Sequence, residues 1–403
     1  MIEIRILFLT TLYPGYNNQS RQDISYALHN FVKDWVKEGH EVRVIRIWNS
    51  YPRLFKFFRK GKDASLYNKD FNFVFEEIKI NRIVINKIPK INYLKRDLDK
   101  TFLKIKNSIE RDFSPQIIVT HMLNPSIILG SKLKEVYKIP LVITMHKTDL
   151  EILVRKNKQS EKFMSILENT DKIGFRSEHL MYKFNKIKRS NLEKKIFTIP
   201  SGIEDDIPIN DEKIKNKKYK KISTIFIAAK MVPLKNIDIL INAFKTVSKS
   251  NDIILKIAGD GPQRKELEKI VQDNKLKDRV QFLGFLDRNK ILKQMEESDI
   301  FVMVSSPETF GLVYLEAMAK GCITIGTKKE GIDGIIINEK NGFLCEARNT
   351  KDLANVLNKV IEMSPEDKIN IIRSAVNTAK KMSQIKMSNK YIDILNNLIE
   401  DTN

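Results

Sequence analysis

The chain has 403 residues, 42% of them hydrophobic, which is enough for two domains of ordinary size, each with its own core. No run approaches the ~18 consecutive apolar residues of a membrane-spanning helix. The two cysteines, Cys322 and Cys345, have no metal-ligand spacing and suit a reducing cytoplasm rather than a disulfide-stapled secreted scaffold. Net charge is +21 and uneven: residues 1–205 hold 38 Lys and Arg against 23 Asp and Glu, so +15, and the remainder 33 against 27, so +6. Such an excess fits a lysine-rich composition or attraction to a polyanion, either a membrane leaflet or a nucleic acid.

Ile4 to Thr10 reads as a first buried strand; it lacks the basic n-region and small-residue cleavage site of a leader. The loop after it carries Gly15. A helix is expected from about Ile24 to Glu38, with Leu28, Phe31, Val32 and Trp35 on one face, and Val42 to Ile47 is a second strand. His40, between them, reads as structural. Residues 51–62 pack four aromatic and five basic residues into twelve positions. Arg53, Phe55, Lys56, Phe57, Phe58, Arg59 and Lys60 suit a membrane interface, with rings at headgroup depth and cations on anionic lipid. Packing of the rings on the domain is the plainer alternative, and stacking on single-stranded nucleic acid the remote one. Residues 87–106 continue the basic theme, with Tyr93 and Phe102, and read as a helix on the same side. Ile117 to Thr120 and Pro140 to Met145 are strands that end in His121 and His146, at carboxyl ends where open α/β sheets place their ligands. Residues 210–221, polar and charged, read as the linker between domains.

The second half repeats the strand–loop–helix rhythm. Strand Ile222 to Ala229 leads to a loop with Lys230 and Lys235, then a helix from Ile237 to Ser248. Strand Ile253 to Ala258 is followed by Gly259-Asp260-Gly261-Pro262, too short in glycine for a dinucleotide fingerprint. Strand Val280 to Gly284 runs into Phe285. Residues 305–326, SSPETFGLVYLEAMAKGCITIG, then give a loop with Glu308, a helix from Val313 to Lys320 with Glu316 inside it, and Gly321 where a C-cap belongs. Carboxylates at such a loop–helix junction suit the vicinal hydroxyls of a ribose or sugar, held by charge-assisted hydrogen bonds. Two surface glutamates favoured by the helix dipole would look the same in isolation.

The whole string E-x-F-G-x-x-x-x-E-A-M-A-x-G resembles the donor-site pattern of retaining glycosyltransferases of family 4, in particular the bacterial surface-polysaccharide type. The resemblance implies an α/β protein of GT-B fold: two facing Rossmann-like domains with an inter-domain cleft. It implies that Glu316 holds the ribose of a nucleotide diphosphate, that Glu308 contacts the donor sugar, and that Phe310, Gly311 and Leu312 present backbone N–H groups to sugar and diphosphate. Lys230 and Lys235 match the family's phosphate-binding Arg and Lys, with Lys in place of Arg. Gly259, Gly261, Phe285 and Gly15 would line the donor, Phe285 beside the nucleobase. His146 would lie near the donor sugar and acceptor hydroxyl, with His121 on the acceptor side. The domains implied are residues 1–205, with 380–403 packing back on them, and residues 206–379.

The reaction implied is transfer of a sugar from a UDP- or GDP-linked donor to a hydroxyl of a glycan or lipid-linked glycan. Configuration is retained, the leaving diphosphate takes the proton, and neither metal nor cofactor is required; the Glu204-Asp205-Asp206 cluster is not read as a metal site. The setting expected is cytoplasmic, peripheral at the inner face of an anionic membrane, with no nucleic acid partner. A nucleotide-sugar epimerase of the same fold is the enzymatic alternative, and a non-catalytic basic membrane- or polyanion-binding protein the other.

Overall fold

The computed structural model describes residues 3–17, 19, 26–51, 67–89, 92–155, 157–217, 221–248 and 252–402. They form two compact units. The first comprises Met1–Arg176, Leu180–Pro200 and Met387–Asn403, and the second Ser177–His179 and Ser201–Lys386. The boundaries expected from sequence, 205/206 and 379/380, stand a few residues from these crossings.

In the first unit the described strands are β1 (Arg5–Thr10), β2 (Glu41–Ser50), β3 (Phe71–Phe75), β4 (Ile78–Asn86), β5 (Ile117–His121), β6 (Leu141–Met145), β7 (Lys172–Phe175) and β8 (Ile196–Thr198). They form one sheet in the order β3-β4-β2-β1-β5-β6-β7-β8. Every pairing is parallel except β3 with β4. The short apolar runs of β1, β5 and β6 are buried on both faces, as a parallel sheet covered by helices requires. Helix Tyr26–Lys37 buries Leu28, Phe31, Val32 and Trp35 against it, the expected stripe. The last helix, Gln384–Glu400, brings Tyr391 to 5.2 Å from Trp35 and 5.6 Å from Phe31, ring to ring, and its hydroxyl bonds Thr144 Oγ1 at 2.8 Å.

Sequence reasoning missed the β3–β4 hairpin. Its two-residue turn is Glu76-Glu77, both at positive φ, 45° and 69°. Glu76 is anchored there by Lys33 at 2.9 Å and His29 at 3.2 Å, so side-chain ion pairing stands in for the usual Asn-Gly chemistry. Residues 87–106 are also built differently from expectation: the helix starts only at Lys95. Tyr93 turns inward, donating to Asn49 Oδ1 at 2.6 Å, and Phe102 packs against the core. The exposed large apolar side chains there are Ile88, Leu94 and Leu103. Residues 51–62 lie outside the described residues except Tyr51, and so does every side chain from Arg53 to Lys60.

The second unit has β9 (Thr224–Ala228), β10 (Ile254–Ala258), β11 (Val280–Gly284), β12 (Ile300–Val302), β13 (Ile323–Thr327) and β14 (Phe343–Cys345), all parallel, in the order β11-β10-β9-β12-β13-β14. This is the doubly wound order 3-2-1-4-5-6, whose switch point lies between the first and fourth strands, here β9 and β12. Cys322 and Cys345 are buried in this core, neither in a disulfide. The polar run expected to be a linker belongs to this unit. Asp211–Lys217 is helical and buries Ile214, which with Ile207 and Ile209 supplies the apolar anchors that the charged residues around them obscured. No described helix is long and apolar enough to cross a membrane.

Candidate active site

At the switch point of the second unit, the loops leaving β9 and β12 are stitched together. Ser306 N–H donates to the Leu234 carbonyl at 2.9 Å, and Asn236 Nδ2 donates to the Val304 carbonyl at 2.7 Å. This junction sets Lys235 Nζ 2.6 Å from Glu308 Oε2. Both side chains are largely shielded from water, so the pair is stronger than a surface ion pair and more exacting in geometry. Glu308 is also held through its backbone. Its N–H donates to Glu330 Oε2 at 2.7 Å, its carbonyl accepts from Gly331 N–H at 3.1 Å, and Ser306 Oγ donates to the other Glu330 oxygen at 2.8 Å. Glu330 therefore clamps the loop that presents Glu308.

The loop ends at Gly311, φ +77°, the left-handed N-cap of helix Leu312–Ala319. A side chain there would meet the Tyr314 ring at 2.6 Å, so both the backbone conformation and the close approach call for glycine. The N–H groups of Leu312 and Val313 open this helix without intrahelical acceptors, whereas Tyr314 N–H donates to the Gly311 carbonyl at 3.0 Å; such a helix start suits anions. Phe310 is buried beneath it. Glu316, inside the helix and mostly buried, bonds Arg288 Nη2 through Oε1 at 2.9 Å, while Arg288 Nη1 bonds Glu204 Oε1 at 2.9 Å. Burial raises the Glu316 pKa, Arg288 opposes the shift, and Glu204 adds to it. Lys230 is exposed on the β9 loop. Gly259, φ +123°, donates its N–H to the Gly284 carbonyl at 2.7 Å, and Met231 N–H donates to the Asp260 carbonyl at 2.9 Å, which ties the Gly259–Gly261 loop to the Lys230 loop. Phe285, just beyond β11, is 77% exposed. Lys230, Lys235, Glu308, Phe310, Gly311, Gly259, Gly261 and Phe285 thus stand on loops at the carboxyl edge of one sheet, with Leu312 and Glu316 in the helix that follows.

The remaining candidates are in the first unit. His121 ends β5 and is fully buried; its Nδ1 lies 3.3 Å from Nε2 of His146, the residue before helix Lys147–Val154. Asp149 organises this corner: its carboxylate accepts from His146 N–H at 2.7 Å and from Leu123 N–H at 2.9 Å. Desolvation, with the nearby Arg176 guanidinium, pushes His146 down to about 3 and His121 well below its ordinary value, so both rings are neutral and one donates to the other. Burial pushes Asp149 up to about 6, against the two backbone bonds it accepts. Gly15, on the β1 loop, accepts from Arg82 Nη1 at 2.7 Å and donates to Gln19 Oε1 at 2.7 Å, beside the Trp48 ring.

These shifts fix a pH dependence of stability. Below pH ~6.5 the unfolded chain protonates two histidines that the folded chain keeps neutral, so acid destabilises. Below about pH 6 the folded Asp149 takes up a proton that its unfolded counterpart takes only near pH ~4, an opposing contribution of one proton. The net expectation for this corner is one proton, up to about 1.4 kcal/mol lost per pH unit between roughly pH 6 and 4. Urea melts at several pH values check it: in a His121→Gln/His146→Gln variant the contribution of this corner reverses sign, because only Asp149 remains.

Arg288, Glu330 and Asp149 escaped sequence reasoning; each is one charged residue among many, and only its partners distinguish it. Glu204 pairs with Arg288 and Asp205 accepts from Ile385 N–H, so that acidic cluster is engaged in ion pairing and backbone hydrogen bonding. Among the described residues no group of three or more His, Cys, Asp and Glu is placed to hold a metal ion.

Residues 208–378 match the family Glycosyl transferases group 1. An uncharacterized glycosyltransferase of Methanocaldococcus jannaschii is 29% identical over 293 residues, 72% of this chain and 77% of that protein. N-acetyl-alpha-D-glucosaminyl L-malate synthase of Bacillus anthracis is 27% identical over 290 residues, 70% of this chain and 74% of that one. The crystal structure of the Anabaena protein HepE in complex with UDP superimposes with a TM-score of 0.69 at 18% identity, over 98% of this chain and 100% of that chain. The fold is GT-B. In GT-B terms each Rossmann-like unit keeps its polar, chemistry-bearing residues at the carboxyl edge of its own sheet: Lys235 and Glu308 in the second, His121 and His146 in the first. The matched segment contains all the second-unit candidates, so the junction described above lies within the residues that match that family.

Proposed function

We propose that the protein transfers a sugar from a nucleotide diphosphate sugar to an acceptor hydroxyl with retention of anomeric configuration. The observation that carries this reading is the shielded Lys235–Glu308 pair at the β9/β12 switch point, in the loop that feeds the N-terminus of helix Leu312–Ala319. An anion placed there meets a cation, free N–H groups and a carboxylate able to bind sugar hydroxyls, as a diphosphate sugar requires. Glu316 holds the ribose, Lys230 and Lys235 the diphosphate, Glu308 the sugar, and Phe285 lies beside the base. As the bond from the anomeric carbon to the diphosphate breaks, Lys235 and the helix N–H groups stabilise the charge developing on the leaving oxygen. That oxygen accepts the proton of the incoming hydroxyl on the same face. His146, kept neutral, accepts a hydrogen bond from the acceptor, with His121 beside its ring and Asp149 holding its backbone N–H. UDP is the favoured nucleotide, supported by the UDP in the Anabaena structure. An N-acetylhexosamine is a sugar to try first, supported by the name of the Bacillus anthracis relative.

The acceptor we propose is a glycan or lipid-linked glycan at an anionic membrane surface on the cytoplasmic side. Support comes from the charge of the first 205 residues and from helix Lys95–Ile109, which exposes Lys95, Arg96, Lys100 and Lys104 beside Leu94 and Leu103. Sedimentation with anionic vesicles at low salt tests it. Charge reversal of Arg53, Lys56, Arg59 and Lys60 is expected to weaken binding, and unchanged binding would remove the case for that segment.

Thermal melting with UDP, GDP, ADP and their common sugars tests the donor site. A ligand that binds only the folded state raises Tm by mass action, by about 2.7 kcal/mol of stability at one hundred times Kd. Stabilisation by UDP, lost in Glu316→Ala, is the expected result. No shift with any nucleotide at two salt concentrations would overturn the reading. With a donor in hand, NMR of the product's anomeric centre decides the stereochemistry, and an inverted product would overturn the same-face mechanism.

A further inference from the structure

We propose that Arg288 is a positioning residue of the donor site: clamped between Glu204 and Glu316, its guanidinium holds the Glu316 carboxylate charged and aimed for the ribose diol. The proposal rests on the donor-site reading above and adds a residue that reading did not contain. Arg288 opens helix Arg288–Glu297, directly after the Gly284–Asp287 turn. It therefore stands beside both the turn assigned to the nucleobase and the carboxylate assigned to the ribose.

The geometry is specific to arginine. Two nitrogens of one planar guanidinium reach two carboxylates at 2.9 Å each, Nη1 to Glu204 and Nη2 to Glu316. Each bond limits rotation about the other, so the head group is fixed although the side chain is half-exposed. The bond to Glu316 takes Oε1, which leaves Oε2 for a ribose hydroxyl. Glu316 needs such a partner. It is largely buried, and the charged groups that face it are Arg288 and Glu204, the second of which works against its ionisation. A protonated Glu316 would lose the charge-assisted bond to a hydroxyl that the donor site depends on. Arg288 is then the group that opposes the loss of charge on Glu316, while Glu204 keeps Arg288 from swinging into water.

Calorimetric titration with UDP, and with GDP and ADP in parallel, between pH 5.5 and 8 tests this on the wild type, Arg288→Gln, Arg288→Lys and Glu204→Gln, each first shown by melting to be folded without nucleotide. Arg288→Gln is expected to bind about tenfold more weakly at pH 7. Its affinity should fall further as the pH is lowered, and more steeply than that of the wild type. Arg288→Lys restores the pH profile of the wild type without the full affinity, since lysine keeps the charge and loses the fork. Glu204→Gln weakens binding less than Arg288→Gln. Equal affinity in Arg288→Gln and wild type would overturn the proposal. So would a loss in Arg288→Gln that is the same at every pH, because that is the mark of a direct contact or a packing defect. Nucleotide binding by the wild type with unchanged variants removes Arg288 and leaves the donor site standing; no binding by the wild type removes both.

Discussion

Replacing Lys235 with alanine is expected to lower kcat by about 10²–10³-fold, the usual cost of removing one preorganised charge stabiliser from a reacting centre. The reason lies in where Lys235 stands. It is the shielded cation of the β9/β12 junction, 2.6 Å from Glu308, with the free N–H groups of helix Leu312–Ala319 alongside. Charge that builds on a leaving diphosphate has no better-placed partner among the candidates, since Lys230 is exposed. The variant has a second defect, because it strands the Glu308 carboxylate in a site that water reaches poorly. Glu308→Gln, alone and in the same background, separates the two. If the loss of rate comes from the missing cation, the double variant stays well below Glu308→Gln in rate while its melting temperature recovers; if it comes from the stranded carboxylate, the double variant matches Glu308→Gln in rate and stability recovers as well. Initial rates with the donor found by melting, beside thermal scans of the three variants, read out both. A Lys235→Ala protein that turns over at wild-type rate would mean that the diphosphate binds elsewhere.

The second large effect is structural and needs no substrate. Gly259→Ala is expected to lose about 3 kcal/mol or more, roughly 6–12 °C in the Tm of the second unit. A Cβ on Gly259 would lie 2.0 Å from the Ala229 carbonyl oxygen, and the neighbour is backbone, so no side chain can swing aside. At φ +123° the alternative of keeping the backbone in place is closed as well. The displaced residue, Ala229, immediately precedes Lys230, so the variant should also lose nucleotide-induced stabilisation. Gly284→Ala is the internal control: its φ is +67°, but its nearest foreign atom is the far end of Arg264 at 3.9 Å, so it should cost only the ~1–2 kcal/mol of a left-handed residue. Equal losses from the two substitutions would mean that the Gly259–Ala229 contact is not tight.

Much of this was legible in the sequence because the relevant patterns are local. Apolar runs of five residues between turn residues became β1, β5, β6, β9, β10 and β11, and the spacing of Glu308, Gly311 and Glu316 placed a loop ahead of a helix. What escaped depended on partners far along the chain. Arg288 is one of 71 basic residues, and only its reach to Glu204 and Glu316 singles it out. Glu330 matters because Ser306 and Glu308 bond to it. The β3–β4 turn has no glycine or asparagine to announce it, and the positive φ of Glu76 is supported by Lys33 and His29 from a helix some forty residues earlier. The stretch read as a linker failed for the same reason: Ile214 looked isolated among lysines, although the surface that covers it is assembled by the rest of its unit.

Because Met387–Asn403 belongs to the first unit, that unit's core stays incomplete until this segment has been synthesised. Trp35 and Phe31 wait for Tyr391, while nearly all of the second unit comes from the intervening stretch Ser201–Lys386. In a chain that lacks this segment the second unit should therefore mature without the first. Chains truncated after Lys386 should protect the second unit from protease while leaving the first cleavable, with its unpaired aromatic face the surface a chaperone would meet.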